Sequence, residues 1–558
     1  PALCARYVWL NQGGGTFEVR GAPATNGRHN GYRPAVADFN ADGLADIFWE
    51  KKQPDGRTQD VGNTYPRDIW YGTTTGDFQV VQNPPALQTN GRMQSCDPVI
   101  ADFNGDGRSD IFWDRKLGDL RTWDPGDNSQ TRDMWIGNGD GTFQKYPSFA
   151  MTSGRLDQTM PHVADFTGDG LLDVMWDLKH PDGRTEDWPN NANVRDLWVN
   201  EGDGLNFTVY QQFAPTSGDM QYTIPHVADF NGDGIADIFW DRKYADGRTL
   251  DQGGSETRRM WLGKGDRTFR KASIITPDLA YDAHRVYVAD FNGDALADIL
   301  WVPENASWQS TGAYTMWIAD GAGAFTAPTG SFGYTNRNVY LADLNGDGLT
   351  DQYWVSAGTA RTSNGGTTTI RFNTARTGTT VPDLASAFTD GLGAVKAITY
   401  KTIADPTIYT RTADGVYPDI DVQGPMVVVA SYEASNGIGG SNTTSFKYTG
   451  AQVNLLGRGF LGFDSIEAAE LATGLRTVTN YRQLYPYTGF VWRTQAFLAN
   501  GTKIKKVRNY QAALAGNFTY SEKTEEEKYD PANGTLTTLV TTTQEMDSYG
   551  NPSQIVVS

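Results

Sequence analysis

Cysteine and histidine are scarce, at 2 and 5 residues in a chain of 558. Two cysteines cannot make a disulfide framework, and a chain of this length can bury enough apolar surface without one. Buried free thiols are the plain reading of Cys4 and Cys96, with a Cys4–Cys96 bridge as the alternative. No window shows sustained helical apolar spacing, and no apolar run approaches a membrane span; stretches such as PMVVVASY are strand-sized. Positive charge is in deficit, and a formal net charge of −19 argues against nucleic acid as a partner. G-x-S-x-G, H-E-x-x-H and P-loop signatures are missing as well. Of His29, His162, His180, His226 and His284, two (His162 and His226) hold the same place before VADF. A repeated position is a packing position, so the chain reads as non-enzymatic. No signal peptide is visible, and the opening ARYVWLNQGGGTFEV resembles the middle of a repeat, so a fragment or processed piece is expected.

What is present is strand-forming. Aromatic residues make up 12% of the chain, threonine is plentiful, and 62 glycines supply turns, which together predict an all-β protein. An internal repeat then sets the architecture. Six copies of one loop begin at Asp38, Asp102, Asp165, Asp229, Asp290 and Asp343 (DFNADGLAD, DFNGDGRSD, DFTGDGLLD, DFNGDGIAD, DFNGDALAD and DLNGDGLTD), each between a strand like PHVADF and another like DIFWD. A second signature follows most copies: DIWYGTTTGDF, DMWIGNGDGTF, DLWVNEGDGLNF, RMWLGKGDRTF and TMWIADGAGAF, with a lone YVWLNQGGGTF opening the chain. Each period therefore holds two hairpins, and four-stranded units at this spacing predict a β-propeller of six to seven blades. In the second strand Ile47 and Trp49 point one way and Phe48 the other, yet all are apolar, as expected where blade stacks on blade. Trp9, Trp49, Trp70, Trp113, Trp135, Trp176, Trp198, Trp240, Trp261, Trp301, Trp317 and Trp354 fall in register and are predicted to form the core between blades.

The loop D-x-N-x-D-G-x-x-D places side-chain oxygens at positions one, three, five and nine, with a glycine at six that permits the positive φ needed to wrap the chain around a point. Oxygen ligands at this spacing suit a hard cation such as Ca2+. The twelfth position, where a helix–loop–helix calcium site carries Glu, is tryptophan in every copy, so the expected element is a calcium hairpin. Three carboxylates forced together repel by on the order of 4 kcal/mol per pair at an effective dielectric near 20, which an ion relieves. Up to six Ca2+ sites are expected, with side-chain ligands Asp38, Asn40, Asp42 and Asp46; Asp102, Asn104, Asp106 and Asp110; Asp165, Thr167, Asp169 and Asp173; Asp229, Asn231, Asp233 and Asp237; Asp290, Asn292, Asp294 and Asp298; and Asp343, Asn345, Asp347 and Asp351. Six ions would move the formal charge from −19 to −7. Thr167 offers a weaker oxygen, and Ala295, in place of the position-six glycine, is expected to strain its turn.

These residues resemble the FG-GAP or VCBS repeat, the calcium-bearing blade of integrin-type propellers and of many secreted bacterial proteins; the resemblance covers residues 1–375. It implies a further ligand, the position-seven carbonyl of Leu44, Arg108, Leu171, Ile235, Leu296 and Leu349. Beyond Trp354 the repeat stops, but alternating strands continue. VKAITYKTIADPTIYT, DVQGPMVVVASYEASNGIGGSNTTSFKYTG, GRGFLGFDSIEA and TVTNYRQLYPYTGF resemble the middle region of Tc toxin B components, SpvB-like proteins and Rhs proteins. YDPANGTL at Tyr529 and DSYGNPSQIVV at Asp547 resemble the YD repeats of Rhs shells. The expected domains are the propeller at 1–375, a Tc-toxin-B-like β domain at 376–515 and the start of a YD-repeat shell at 516–558.

The resemblance implies a non-enzymatic, calcium-stabilised propeller and shell segment of a secreted bacterial toxin. It would scaffold an encapsulated C-terminal cargo and dock to a partner such as a translocation-channel component. The alternative is a calcium-dependent adhesin or lectin that binds glycans or proteins through a propeller face, motivated by Trp123, Trp188 and Trp308, which lie outside the repeat register. Four periods also carry an added loop: DGRTQD at 55–60, GDLRTWD at 118–124, DGRTEDW at 182–188 and DGRTLDQ at 246–252. Arg57, Arg121, Arg184 and Arg248 precede Asp60, Asp124, Asp187 and Asp251 by three residues, which suggests Arg–Asp pairs fixing loop to loop, or a docking rim.

Overall fold

The computed structural model describes residues 7–11, 16–23, 29–61, 67–126 except 74, 132–149, 154–188, 195–251 except 215 and 217, 258–272, 281–305, 310–311, 314–326, 337–344, 349–356, 368–372, and 384–558 except 413, 414, 423, 425 and 515–517. Cys4, Trp308, Asn345 and Asp347 lie outside them. The chain forms two compact units: residues 1–10, 18–344 and 349–375 in the first, and 11–17, 345–348 and 376–558 in the second.

The first unit is a six-bladed β-propeller. Blade 1 is Tyr32–Ala37, Asp46–Lys51, Arg67–Gly72 and Phe78–Gln82; blade 2 is Cys96–Ala101, Asp110–Arg115, Arg132–Gly137 and Phe143–Pro147. Blade 3 is Thr159–Ala164, Asp173–Leu178, Arg195–Asn200 and Phe207–Gln211; blade 4 is Thr223–Ala228, Asp237–Arg242, Arg258–Gly263 and Phe269–Ala272. Blade 5 is His284–Ala289, Asp298–Pro303, Thr315–Ala319 and Phe325–Thr326, and blade 6 has three strands, Arg337–Ala342, Asp351–Ser356 and Thr368–Arg371. All neighbours within a blade are antiparallel. The opening signature forms a separate two-stranded sheet, Tyr7–Asn11 with Phe17–Gly21, whose Arg20 guanidinium donates to the Thr75 carbonyl beside blade 1.

Apolar residues of the second strand are buried where one blade packs against the next. Phe39, Phe48 and Ile69 of blade 1 form one core with Ile111, Trp113 and Trp135 of blade 2. The same exchange joins Phe103, Phe112 and Met134 to Val174, Trp176 and Trp198, and Phe230, Phe239 and Met260 to Ile299, Trp301 and Trp317. Eleven of the register tryptophans, from Trp49 to Trp354, are buried. Trp9, in the leading hairpin, is 47% exposed, because a two-stranded sheet cannot cover it as a full blade does. Cys96 is buried and free.

The second unit is an antiparallel meander. Its strands run in sequence order as Ala387–Thr389, Val395–Thr402, Val427–Ser435, Ser441–Asn454, Gly459–Glu470, Arg476–Tyr481, Val491–Phe497, Lys503–Ala513, Thr519–Tyr529, Leu536–Met546 and Pro552–Val557. Two short strands, Tyr409–Thr410 and Asp419–Asp421, add to Ser441–Asn454. Ile403, Ile408, Val428, Ala430, Tyr448 and Ala451 make its small core. Asp530 and Asp547 set the last two hairpin turns by accepting N–H groups two residues on, from Ala532 and Tyr549.

Candidate metal loops and the blade-to-blade lattice

In blades 1 to 5, whose acidic loops lie wholly within the described residues, each loop joins the first and second strands and is organised by its own carboxylates. In blade 2, Asp102 accepts the N–H groups of Asp106 at 3.1 Å and Gly107 at 2.6 Å. Asn104 Oδ1 accepts Asp106 N–H, Asp106 Oδ1 accepts Arg108 N–H, and Asn104 Nδ2 donates to Asp106 Oδ2. Blade 1 repeats this set with Asp38, Asn40, Asp42, Gly43 and Leu44. Blades 4 and 5 keep its outline, with Asp229 gripping Gly232 and Gly234, and Asp290 gripping Gly293 and Ala295. In blade 3 Thr167 has no amide to bridge Asp169, and its hydroxyl lies 3.4 Å from Asp165. Gly43 and Gly107 take φ of 76° and 80° at position six, and Ala295 takes the same left-handed turn at φ 67°. The substitution is therefore absorbed without change of loop shape, at the steric cost of a Cβ in that region.

The position-nine aspartates have a second task. Asp46, Asp110, Asp173, Asp237 and Asp298 are buried, and each accepts two backbone N–H groups. One comes from the position-two residue (Phe39, Phe103, Phe166, Phe230, Phe291) and the other from the third strand (Gly72, Gly137, Asn200, Gly263, Ala319). Asp351 does the same for Leu344. These carboxylates thus fasten loop to sheet. Burial, with the neighbouring loop carboxylates adding to it, raises the carboxyls of Asp46, Asp110 and Asp237 to about 7 and those of Asp173 and Asp298 to about 6. Burial likewise raises Asp38 and Asp102 at position one.

The donor set fits a hard cation. It is all oxygen, its neighbouring carboxylates raise the position-one and position-nine carboxyls, and Arg108 lies 3.7 Å from Asp106. The loop side chains are folded onto their own N–H groups, and among the described residues no three acidic, His or Cys side chains stand together as a metal cluster. Binding therefore requires the Asn40–Asp42 type of contact to open. Neighbouring loops also nest: a Cβ on Gly105 would lie 3.0 Å from Leu171, one on Gly168 2.8 Å from Ile235, and one on Gly232 2.7 Å from Leu296. The backbones join too, with Ala236 N–H donating to the Asp165 carbonyl and Ala297 N–H to that of Asp229.

At the opposite ends of these strands lies a lattice that the sequence reading missed. Arg67, Arg132, Arg195 and Arg258, three residues before the third-strand tryptophan, are fully or nearly fully buried. Each guanidinium lies over the second-strand tryptophan of the following blade, at 4.7, 4.9, 4.6 and 4.7 Å from Trp113, Trp176, Trp240 and Trp301. Within its own blade it faces the acid after the second-strand tryptophan: Glu50, Asp114, Asp177 or Asp241. Lys52, Lys116, Lys179 and Lys243 bind the same acids from the other side. The recurring R-x-x-W motif, R-D-x-W in three of the four copies, was the available signal.

The added loops bear out a role in fixing loop to loop, but with different partners. Arg57, Arg121, Arg184 and Arg248 pair with Asp55, Asp119, Asp182 and Asp246, two residues before them. They also donate to the next blade's carbonyl at Lys116, Lys179, Lys243 and Glu304. The predicted partners Asp60, Asp124, Asp187 and Asp251 are buried and instead accept N–H groups from the connector to the next blade, at Met93, Leu156, Met220 and Tyr281. A two-residue D-x-R spacing closes a tight Asx turn, which a three-residue spacing cannot do. His162 and His226 sit on matching first strands, and burial drives both imidazoles to the neutral form, His162 down to about 3.

Two stretches of the repeat region, residues 5–49 and 251–301, match the FG-GAP-like repeat model. Residues 320–489 match the model of the insecticide toxin TcdB middle/N-terminal region, so the chain joins FG-GAP-like repeats to a TcdB-type region. No curated protein matches it. Among solved structures, TcdB2–TccC3 aligns over all of this chain and 30% of its own, with 14% identity and a TM-score of 0.50. TcdB2–TccC3–TEV aligns over all of this chain and 29% of its own, with 12% identity and a TM-score of 0.50. At these identities the likeness is one of fold, and the chain spans less than a third of those structures' length. A lectin from Agrocybe aegerita, described as recognising non-reducing terminal N-acetylglucosamine, aligns over 66% of this chain and 90% of its own with 18% identity and a TM-score of 0.44.

Proposed function

We propose that the chain is a non-enzymatic propeller and shell segment of a secreted bacterial Tc-type toxin, acting as scaffold and docking gate for an encapsulated cargo. The observation that carries this reading is the single match over residues 320–489, which runs from the last blades into the second unit and joins propeller and sheet in one toxin-type sequence. The lattice supports a rigid platform, since its arginines, lysines and acids are spent on fastening blade to blade.

Calcium belongs to the same proposal. The side chains at positions one, three and five, the position-seven carbonyl and the position-nine carboxylate would hold it. The ion would supply the positive charge that the loops lack and replace the internal Asn–Asp contacts as the force organising each turn. Docking is tested by mixing the purified chain with a Tc translocation-channel component and following both by size-exclusion chromatography. Co-elution is expected in calcium; separate elution at micromolar concentrations of both would overturn the docking role.

A further inference from the structure

One exposed cluster is peculiar to blade 3 and is used by neither the calcium loops nor the lattice. Trp188, at the end of the DGRTEDW loop, is 50% exposed, whereas the second- and third-strand tryptophans of all blades are buried. The matching positions in the other copies of the loop are Val61, Pro125 and Gln252, so the fold does not require an indole there. The ring is nevertheless held in place: its Nε1 donates to Glu186 Oε1 at 2.9 Å, and His180 meets it edge-on at 6.3 Å. His180 in turn stacks on Tyr222 at 5.0 Å, and Arg184 covers Tyr222 at 4.4 Å. Gln221 Nε2 lies 2.9 Å from His180 Nε2 while its Oε1 accepts the Asp187 N–H, which fixes the imidazole with Nδ1 toward Glu186 Oε2 at 3.6 Å. Trp123, the other described tryptophan of the propeller outside the register, is covered by Arg115 at 4.9 Å.

We propose that Trp188, Glu186 and His180 form a saccharide subsite, with the apolar face of a pyranose stacked on the indole and its hydroxyls bonded to Glu186 and His180. The chemistry selects this class of ligand. The indole presents its face because its N–H edge is already occupied, and an aromatic face beside a few fixed polar groups suits a ring that is apolar on one side and hydroxylated at its rim. An anion would meet Glu186 and Asp182, and a purely apolar partner would strip both carboxylates of water without replacing their hydrogen bonds. The rim mixes a carboxylate acceptor with an imidazole donor, and Arg184 is committed to Asp182 and the Lys243 carbonyl.

The test is ligand-observed NMR saturation transfer with the full chain and a panel of N-acetylglucosamine, galactose, glucose and mannose, followed by intrinsic-fluorescence titration of whichever sugar responds. Binding of at least one sugar is expected, with a dissociation constant on the order of 1 mM. Trp188→Ala should lower affinity at least ~10-fold, Trp188→Phe less, and Glu186→Gln by several-fold, since they remove the stacking face and one charge-assisted hydrogen bond respectively. Trp123→Ala should change nothing. The variants should keep the parent melting temperature, because Trp188 lies outside the core. No response from any sugar at ~50 mM, or a response that survives Trp188→Ala, overturns the proposal. So does a panel that stays silent while Trp188→Ala abolishes co-elution with a protein partner.

Discussion

At the scale of single residues, the acidic loops separate two roles that the repeat presents as one. In blade 2, positions one, three and five (Asp102, Asn104 and Asp106) are half-buried and bonded within the loop, whereas Asp110 at position nine is buried and holds N–H groups of the loop and the third strand. Asp110→Ala would strand both the Phe103 and Gly137 N–H groups, at about 1–3 kcal/mol each. Urea unfolding of the calcium-free protein should therefore show a loss of at least 2 kcal/mol, and Asp106→Ala a loss of less than about 1 kcal/mol, since its partners Asn104 and Arg108 are only half-buried and can turn to water. Equal losses would contradict the division. Ala295 gives the opposite sign. It is exposed and left-handed, so Ala295→Gly should stabilise by about 1 kcal/mol in the same measurement. Ala41 is also left-handed but buried against blade 2 near Gly139, so in Ala41→Gly the lost methyl, worth about 0.8 kcal/mol, should offset the relief and leave stability nearly unchanged.

At the scale of the blade, the unit of stability is the junction. Removing a buried arginine between its own blade's acids and the next blade's tryptophan leaves two buried acids to share a single lysine, as with Asp114, Asp124 and Lys116. Arg132 lies 3.4 Å from Asp114 and 3.8 Å from Asp124, so Arg132→Ala should cost about 3–5 kcal/mol, read from tryptophan fluorescence during urea unfolding. A loss below 1 kcal/mol would mean that the guanidinium is a passenger. Blade 5 shows the alternative solution: Tyr314 stands in the arginine's place, Val302 in the acid's, and Tyr314 stacks on Trp354 at 6.3 Å. Strand order, the two-hairpin period and the tryptophan core were legible in the sequence because each leaves a periodic apolar trace that only stacked sheets can satisfy. The arginine lattice was not, because a buried cation leaves no such trace: Arg132 reads as an ordinary polar residue until Asp114, Asp124 and Trp176 are seen around it. The pairing of Arg57 with Asp55 rather than Asp60 was hidden for a related reason, since both carboxylates are near in sequence and only the turn decides between them. Trp9 misled because register alone does not say whether a blade is complete.

At the scale of the whole molecule, the six acidic loops all begin between residues 38 and 343, in the propeller, while the sheet from residue 384 onward has none. That asymmetry makes the calcium proposal testable without a structure of the bound state. If free calcium is about ten times the dissociation constant, each site adds about 1.4 kcal/mol to the unit that carries it, and six sites add about 8 kcal/mol to the propeller alone. That is comparable to the entire stability of an ordinary domain. Calorimetry should therefore resolve two transitions, because the chain divides into two compact units. Chelation should move the propeller transition down by ten degrees or more on the order-of-magnitude scale that relates kcal/mol to melting temperature, and leave the other in place. Added calcium should restore it; magnesium should restore less, since it demands a tighter octahedral set than these loops offer. Charge screening by the ion would act on both units, because the net charge of −19 belongs to the whole chain, so a chelator that shifted both transitions equally would point to general electrostatics. A chelator that shifted neither would show that the loops stand on their internal hydrogen bonds, with the Asn–Asp contacts as the finished structure and no ion in the turn.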